Sequence, residues 1–279
     1  MKKAISAWCF PGKSVKESMN LAKEAGYDGI ELTLEENGET GLDASPAKWA
    51  EIRDYSDKIG LPIHSIATGL HWPYPLTSND EAIREKGIQI VEKQLDMASA
   101  LGADSILVVP GAVDVRFIPG FEVVPYDTAY ERSMTAFMRL KEKAESVKIH
   151  IGIENVWNLF LLSPLEMRGF IDKIGSAYVG AYFDVGNVLA IGFPEDWIRI
   201  LGKRICKVHF KDYRIAADGL HGFVDLLAGD VNWPAVMEAF NAVGYDGWAT
   251  AEMIPPYTYY PEQIVWNTCQ SMRRIFGES

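Results

Sequence analysis

The sequence predicts a single (β/α)8 barrel occupying residues 1–279. Three observations carry that prediction. Short apolar runs rich in Ile, Val and aromatic residues recur eight times, a longer amphipathic stretch follows each, and no Pro-, Gly- or Ser-rich linker divides the chain. Such runs suit strands covered on both faces, and about 35 residues from run to run is close to what one βαβ unit needs. A doubly wound sheet is the alternative. It would place a glycine-rich phosphate turn after an early strand, whereas the first run continues into WCFPG with no GxGxxG.

The expected strands are AISAW (4–8), GIELT (29–33), PIHSIA (62–67), SILVVP (105–110), HIGIE (150–154), VGAYFD (179–184), CKVHF (206–210) and WATAE (248–252). The helix after the first, over 14–26, sets Val15, Met19, Leu21 and Ala22 on one face and stops at Gly26. The second, over 45–60, has Ser45 as N-cap, Pro46 at the first helical position and Gly60 as its stop. The third, over 79–102, opens with acids that suit a helix N-terminus and ends at Gly102. TAYERSMTAFMRLKEKAESV, SPLEMRGFIDKIG, PEDWIRILG, NWPAVMEAFNAVG and PEQIVWNTCQSMRRIFG supply the other five. EAGYDGIEL and AVGYDGWAT repeat one helix-to-strand junction, as a repeated unit would.

A formal net charge of −11 with no run of Lys or Arg argues against nucleic acid as a partner. No apolar stretch approaches the roughly 20 residues that span a bilayer, and the opening AISAWCF is too short for a signal-peptide core. Cys9, Cys206 and Cys269 form no CxxC pair and no disulfide framework, and the first two sit in strand-like runs as inert thiols. The expectation is a soluble, cytoplasmic protein.

Active sites in this barrel lie at the C-terminal ends of the strands. Strand five ends at Glu154, strand six at Asp184, strand seven carries His209, and strand eight ends at Glu252. Alternation puts Gly152, Tyr182 and Thr250 on the same side as the three acids, and small residues below are expected to leave room at the mouth. A lone histidine in an apolar strand is ordinarily a core residue, and a lone strand-end glutamate ordinarily caps a loop. Four together, on adjacent strands, converge on one point. Three inward acids without a cation would repel one another. The oxygen-rich, single-nitrogen set suits Mn²⁺, Mg²⁺ or Co²⁺, whereas Zn²⁺ more often brings extra His or Cys.

IENVW (153–157), FDVGN (183–187), KVHFKD (207–212), AGDVNWPAVMEAFNAVGYDGW (228–248), AEM (251–253) and DGIEL (28–32) resemble the xylose-isomerase-like TIM barrel superfamily of sugar and sugar-phosphate isomerases and epimerases. The likeness covers essentially the whole chain. DVGN and HFKD look closest to ketose and ketose-phosphate 3-epimerases of the L-xylulose-5-phosphate type. The resemblance implies a divalent metal, often Mn²⁺, held by Glu154, Asp184, His209 and Glu252, with Glu154 and Glu252 doubling as the acid/base pair of an ene-diolate reaction. Sugar 3-epimerases of the tagatose type carry a histidine where this chain has Asn187, a second glutamate where it has Phe160, and an arginine where it has Ile215, with Arg214 one place earlier. Those departures move weight from free ketoses toward the phosphate-type branch.

Other residues are expected around the substrate. Glu31 and His64 would orient substrate or support a ligand, and Asn187 would bond a hydroxyl. Trp8 and Trp157 would wall the sugar, and Lys211 would meet an oxyanion or phosphate unless it pairs with Asp212 or Asp230. Arg214 is a weaker candidate for the same task. TGLHWPYPLTSND, GAVDVRFIPGFEVVPYD and IPPYTYYP read as aromatic lid loops that exclude water or make a homo-oligomer contact. Besides a 3-epimerase, the sequence admits an aldose–ketose or hydroxypyruvate-type isomerase on the same site. An apurinic-site endonuclease would need more His and Asp ligands, and a non-catalytic sugar-binding barrel would not need all four metal positions filled.

Overall fold

A computed structural model describes residues 1–252 and 257–278. Eight parallel strands close into a barrel. They are β1 (Lys2–Ser6), β2 (Gly29–Thr33), β3 (Ile63–Ala67), β4 (Ser105–Val108), β5 (His150–Glu154), β6 (Val179–Asp184), β7 (Ile205–Phe210) and β8 (Trp248–Ala251). β1 pairs with β2 on one side and β8 on the other, which leaves no edge. The eight helices that follow the strands are α1 (Val15–Ala25), α2 (Pro46–Ile59), α3 (Glu81–Leu101), α4 (Tyr126–Val147), α5 (Pro164–Ile174), α6 (Pro194–Leu201), α7 (Trp233–Val243) and α8 (Gln263–Phe276). A one-turn helix, Val185–Val188, follows β6, and an antiparallel ribbon pairs Asp212–Tyr213 with Phe223–Val224 after β7. No helix among the described residues is long and apolar enough to cross a membrane.

Local chemistry sets these boundaries. Ser14 and Glu17 form a reciprocal capping box on α1, which ends at left-handed Gly26. Ser45 accepts from Lys48 N at the start of α2, with Pro46 following and left-handed Gly60 at the end. Two strands end before the expected AISAW and SILVVP do, β1 starting two residues earlier as well. Ser6 caps a 3₁₀ turn over Ala7–Cys9, which ends β1 before Trp8 and swings that residue onto the barrel mouth. β4 stops at Val108, two residues short of Pro110, which has no N–H for the ladder.

Apolar side chains divide into two sets. The larger lies between strands and helices, where outward residues such as Ile30, Ile106, Phe183 and Val208 pack with Met19, Leu95, Phe137 and Phe240. The smaller joins Ala67, Leu107, Val109 and Tyr182 with Trp8, Trp72 and Val156. The remaining buried side chains of the barrel include Glu31, His64, Tyr182, Lys207, His209 and Thr250. Buried ionisable groups are costly unless paired, so this polar interior needs a compensating arrangement, and the upper end of the barrel provides it.

Candidate metal centre and active site

Glu154, Asp184, His209 and Glu252 stand on β5, β6 and β7 and immediately after β8, which are consecutive neighbours in the barrel. All four are buried, and each offers one ligand atom within 4.8 Å of the others. His209 Nδ1 lies 2.7 Å from Glu252 Oε2, 3.8 Å from Glu154 Oε1 and 3.9 Å from Asp184 Oδ2. Among the described residues, the buried Asp184 Oδ2, His209 Nδ1 and Glu252 Oε2 have charged neighbours in one another, Glu154 and Lys211 but no well-aligned hydrogen bond. Buried polar atoms are almost always satisfied. One nitrogen and three carboxylates that converge in this way fit a divalent cation.

Adjoining residues hold these side chains in place. The other nitrogen of His209, Nε2, is 3.0 Å from Glu31 Oε1, and Tyr182 Oη donates to Glu31 Oε2 at 2.5 Å. A carboxylate behind a ligating histidine fixes the ring's orientation and tautomer. Asp184 Oδ1 accepts from Asn187 N at 2.7 Å, capping the one-turn helix and leaving Oδ2 for the cluster. Asn155 clamps the Asp184 backbone, donating to its carbonyl at 2.8 Å and accepting from its N–H at 2.9 Å. A Cβ at Gly186 would come 2.5 Å from Lys211 Cβ, so the glycine in FDVGN is what lets the segment after β7 approach.

Burial and neighbouring charge drive the two glutamates apart. Desolvation raises Glu154 to about 7. It also acts on Glu252, but Lys211 and His209 outweigh it and hold that carboxyl at about 2. Burial lowers His209, yet Glu31 and Glu252 carry it well above the ordinary histidine value. Lys211 is buried, 2.8 Å from Glu252 Oε2 and 3.2 Å from Asp184 Oδ2. It faces the mouth as expected, but it pairs with neither Asp212 nor Asp230. Asp212 instead accepts from Tyr213 N, Leu227 N, Val231 N and Trp233 Nε1, tying the segment after β7 to itself.

Above the cluster is a cavity of about 440 Å³ lined by Glu154, Glu252, Asn187, Lys211, Trp8 and Trp157, together with Thr68, Trp72, Val109, Phe117, Leu220 and Phe223. Trp8 and Trp157 both line this cavity. Trp157 Nε1 donates to Asn187 O, and the Asn187 amide donates to Asn155 O. Trp72 and Phe117, from the loops after β3 and β4, meet edge to face with centroids 5.5 Å apart. In the expected lid IPPYTYYP, Ile254, Pro255 and Pro256 lie outside the described residues, as does Met253 of AEM.

Two expected substrate contacts are elsewhere. His64 is buried inside the barrel, stacked on Trp248 at 4.6 Å with Nε2 3.1 Å from Thr250 Oγ1. Burial and then the Lys207 charge push its pKa well down. It does not line the cavity because it stands near the start of β3, below the mouth. Arg214 is exposed and donates to Ala228 O. The expectation of small residues below the acids fails at Tyr182, whose ring fills the interior and supports Glu31. A Cβ at Gly152 would be 2.9 Å from Tyr182 Cβ, so the glycine of β5 makes space for that ring. Phe160 packs against Tyr126, Tyr130 and Phe170 away from the cavity, and Ile215 is exposed. The sequence reading did not single out Tyr182, Asn155, Trp72, Phe117 or Phe223. Asn155 carried a local signal inside IENVW, and Trp72 and Phe117 lie in two of the loops read as aromatic lids.

Comparison with known proteins agrees with this architecture. A family model described as xylose isomerase-like TIM barrel matches residues 19–268. The chain belongs to that family. The putative L-ribulose-5-phosphate 3-epimerase SgbU of Escherichia coli (strain K12) is 26% identical over 93% of this chain and 89% of its own length. An L-ribulose 3-epimerase structure superposes with TM-score 0.81 at 17% identity, covering 99% of this chain and 94% of that one. A D-psicose 3-epimerase, studied with D-fructose, gives TM-score 0.78 at 19% identity, covering 99% and 97%. These members of the xylose isomerase-like family and its fold neighbours are sugar epimerases, a kind of isomerase.

Proposed function

We propose that the chain is a divalent-metal-dependent epimerase that inverts carbon 3 of a ketose or ketose phosphate. The observation that carries this reading is the buried cluster of Glu154, Asp184, His209 and Glu252 at the floor of an aromatic cavity. The relatives' names supply the reaction class, since SgbU is described as a putative L-ribulose-5-phosphate 3-epimerase. The four residues would hold the cation; Mn²⁺, Mg²⁺ and Co²⁺ suit this donor set, and the family resemblance favours Mn²⁺. Bound there, it supplies Lewis-acid stabilisation of the negative charge that develops on adjoining substrate oxygens.

This chain's residues do the rest. Glu154 and Glu252 end strands separated by β6 and β7, so they address a substrate over the cluster from different sides. One carboxylate takes the proton beside the carbonyl and the other returns one to the opposite face, which inverts the centre. Their opposed titration suits an acid and a base in one site. Lys211 adds positive charge beside the developing ene-diolate, and Asn187 offers a polar contact at the cavity wall. Trp8, Trp72, Phe117, Trp157 and Phe223 exclude water that would quench the carbanion-like intermediate.

The same reading includes self-association through the exposed rim residues Phe193, Tyr259 and Tyr260, which are 66%, 81% and 85% accessible. Light scattering after size exclusion reads the subunit number. It also takes the protein to be cytoplasmic and to act on small sugars rather than nucleic acid.

The function is tested by stripping metal with chelator, adding back Mn²⁺, Mg²⁺, Co²⁺ or Zn²⁺, and following ketoses and ketose phosphates by NMR. A carbon-3 diastereomer that appears only with metal is the expected product. An aldose would establish aldose–ketose isomerisation instead. Metal-independent binding without turnover would reduce the chain to a sugar-binding barrel.

A further inference from the structure

We infer that the preferred substrate is an uncharged ketose, one whose end remote from the carbonyl carries no phosphate. This rests on the epimerase reading and names the substrate class of its site. The argument comes from the cavity wall. Among the described residues, Lys211 is the one cationic side chain lining it. Its ammonium stands 2.8 Å from Glu252 and 3.2 Å from Asp184, at the floor beside the acid cluster and 5.4 Å from the Phe223 ring centroid. That is the reacting end of a bound sugar. A terminal phosphate lies several bonds from the carbonyl, so it would project away from Lys211 toward the outer walls.

Those walls are Trp72, Val109, Phe117, Val156 and Leu220. With Gly69 and Leu107 beside them, they offer aromatic faces, aliphatic carbon and at most neutral N–H donors, which suit a sugar chain but leave a dianion with no countercharge. Burying such a charge unpaired is strongly unfavourable. The Thr68 hydroxyl is already committed, donating to Leu34 O and accepting from Leu70 N. Nearby cations do not substitute. Arg214 is bonded to Ala228 O, and Arg116, beside Phe117, is exposed and does not line the cavity. Residues 253–256, which follow Glu252, are Met-Ile-Pro-Pro and bring no charge. The wall therefore departs from the phosphate-type branch that DVGN and HFKD suggested.

The test pairs each sugar with its phosphate on the Mn²⁺-loaded full-length protein: L-ribulose with L-ribulose 5-phosphate, and D-fructose with D-fructose 6-phosphate. The expected result is a kcat/KM at least about tenfold higher for the neutral member of whichever pair is turned over. A preference for the phosphate overturns the inference and leaves the epimerase reading standing. If neither pair reacts, quenching of tryptophan fluorescence decides, because Trp8, Trp72 and Trp157 line the cavity. Quenching by the neutral sugar alone upholds the inference while the epimerase reading fails. Tighter binding of the phosphate, or binding of neither, overturns it. A gain-of-function variant gives an independent readout. Leu220→Arg places a guanidinium on a half-exposed rim position and is expected to raise kcat/KM for the phosphate by about tenfold. No gain at all would contradict an outer wall that lacks a phosphate partner.

Discussion

Glu154 and Glu252 are chemically identical side chains whose surroundings divide their roles. Burial lifts Glu154 to about 7, while Lys211 and His209, against the same burial, hold Glu252 at about 2. A metal ligand must be deprotonated, so cation binding has to displace the Glu154 proton and a proton from His209. Apparent metal affinity is therefore expected to rise with pH by about a hundredfold per unit below about 7, where both protons are released, and by about tenfold per unit above it, where only the His209 proton is. Titration calorimetry between pH 5.5 and 7.5 checks this, and a flat profile would contradict it. In Glu154→Gln the slope should fall by one proton, and turnover should fall by about 10²- to 10⁴-fold. Tyr182→Phe tests the support behind His209. Removing the hydroxyl leaves Glu31 Oε2 without its donor, which should weaken metal binding by about tenfold at a stability cost of only about 1 kcal/mol.

At the scale of elements, the segment between β7 and α7 deserves a test of its own, because it delivers Lys211, Leu220 and Phe223 to the cavity. Asp212 holds it through three backbone N–H groups and the Trp233 indole. Asp212→Ala strands those buried donors and should cost about 3 kcal/mol, a fall in Tm of about 6 to 12 °C by calorimetry. An unchanged Tm would show that the segment is held by packing alone. The sequence made the strands and helices legible because each helix carries its own stop and start signals, such as Ser45-Pro46 and Gly60. It also made the cluster of four strand-end residues legible, since alternation and strand order suffice to bring them together. The cavity walls were legible in part: Trp8 and Trp157 were expected, and the loops after β3 and β4 read as aromatic, but not which of their residues face the cavity. Trp72 and Phe117 come from loops whose path depends on packing across the mouth. His64 looked like a site residue because its type suggests chemistry, whereas its depth along β3 decides its role. Tyr182 looked like core filling, and only its meeting with Glu31 across the barrel reveals its polar task.

For the whole molecule, the barrel carries a polar interior that gathers three carboxylates and a histidine at its upper end. A cation that binds only the folded state should stabilise it by about 2.7 kcal/mol at a hundredfold excess over Kd. Thermal unfolding with and without chelator reads this, and His209→Ala should abolish the difference. Equal midpoints with and without Mn²⁺ would mean the cluster is structural. The central claim is that two carboxylates over this site exchange a carbon-bound proton with solvent. Its most direct measurement follows solvent deuterium by NMR during turnover of a ketose by Mn²⁺-loaded protein in D₂O. The account predicts one deuterium at carbon 3 of the epimeric product, dependent on metal and lost in both Glu154→Gln and Glu252→Gln. An epimer formed without deuterium, or label at carbon 1 with an aldose product, would contradict it.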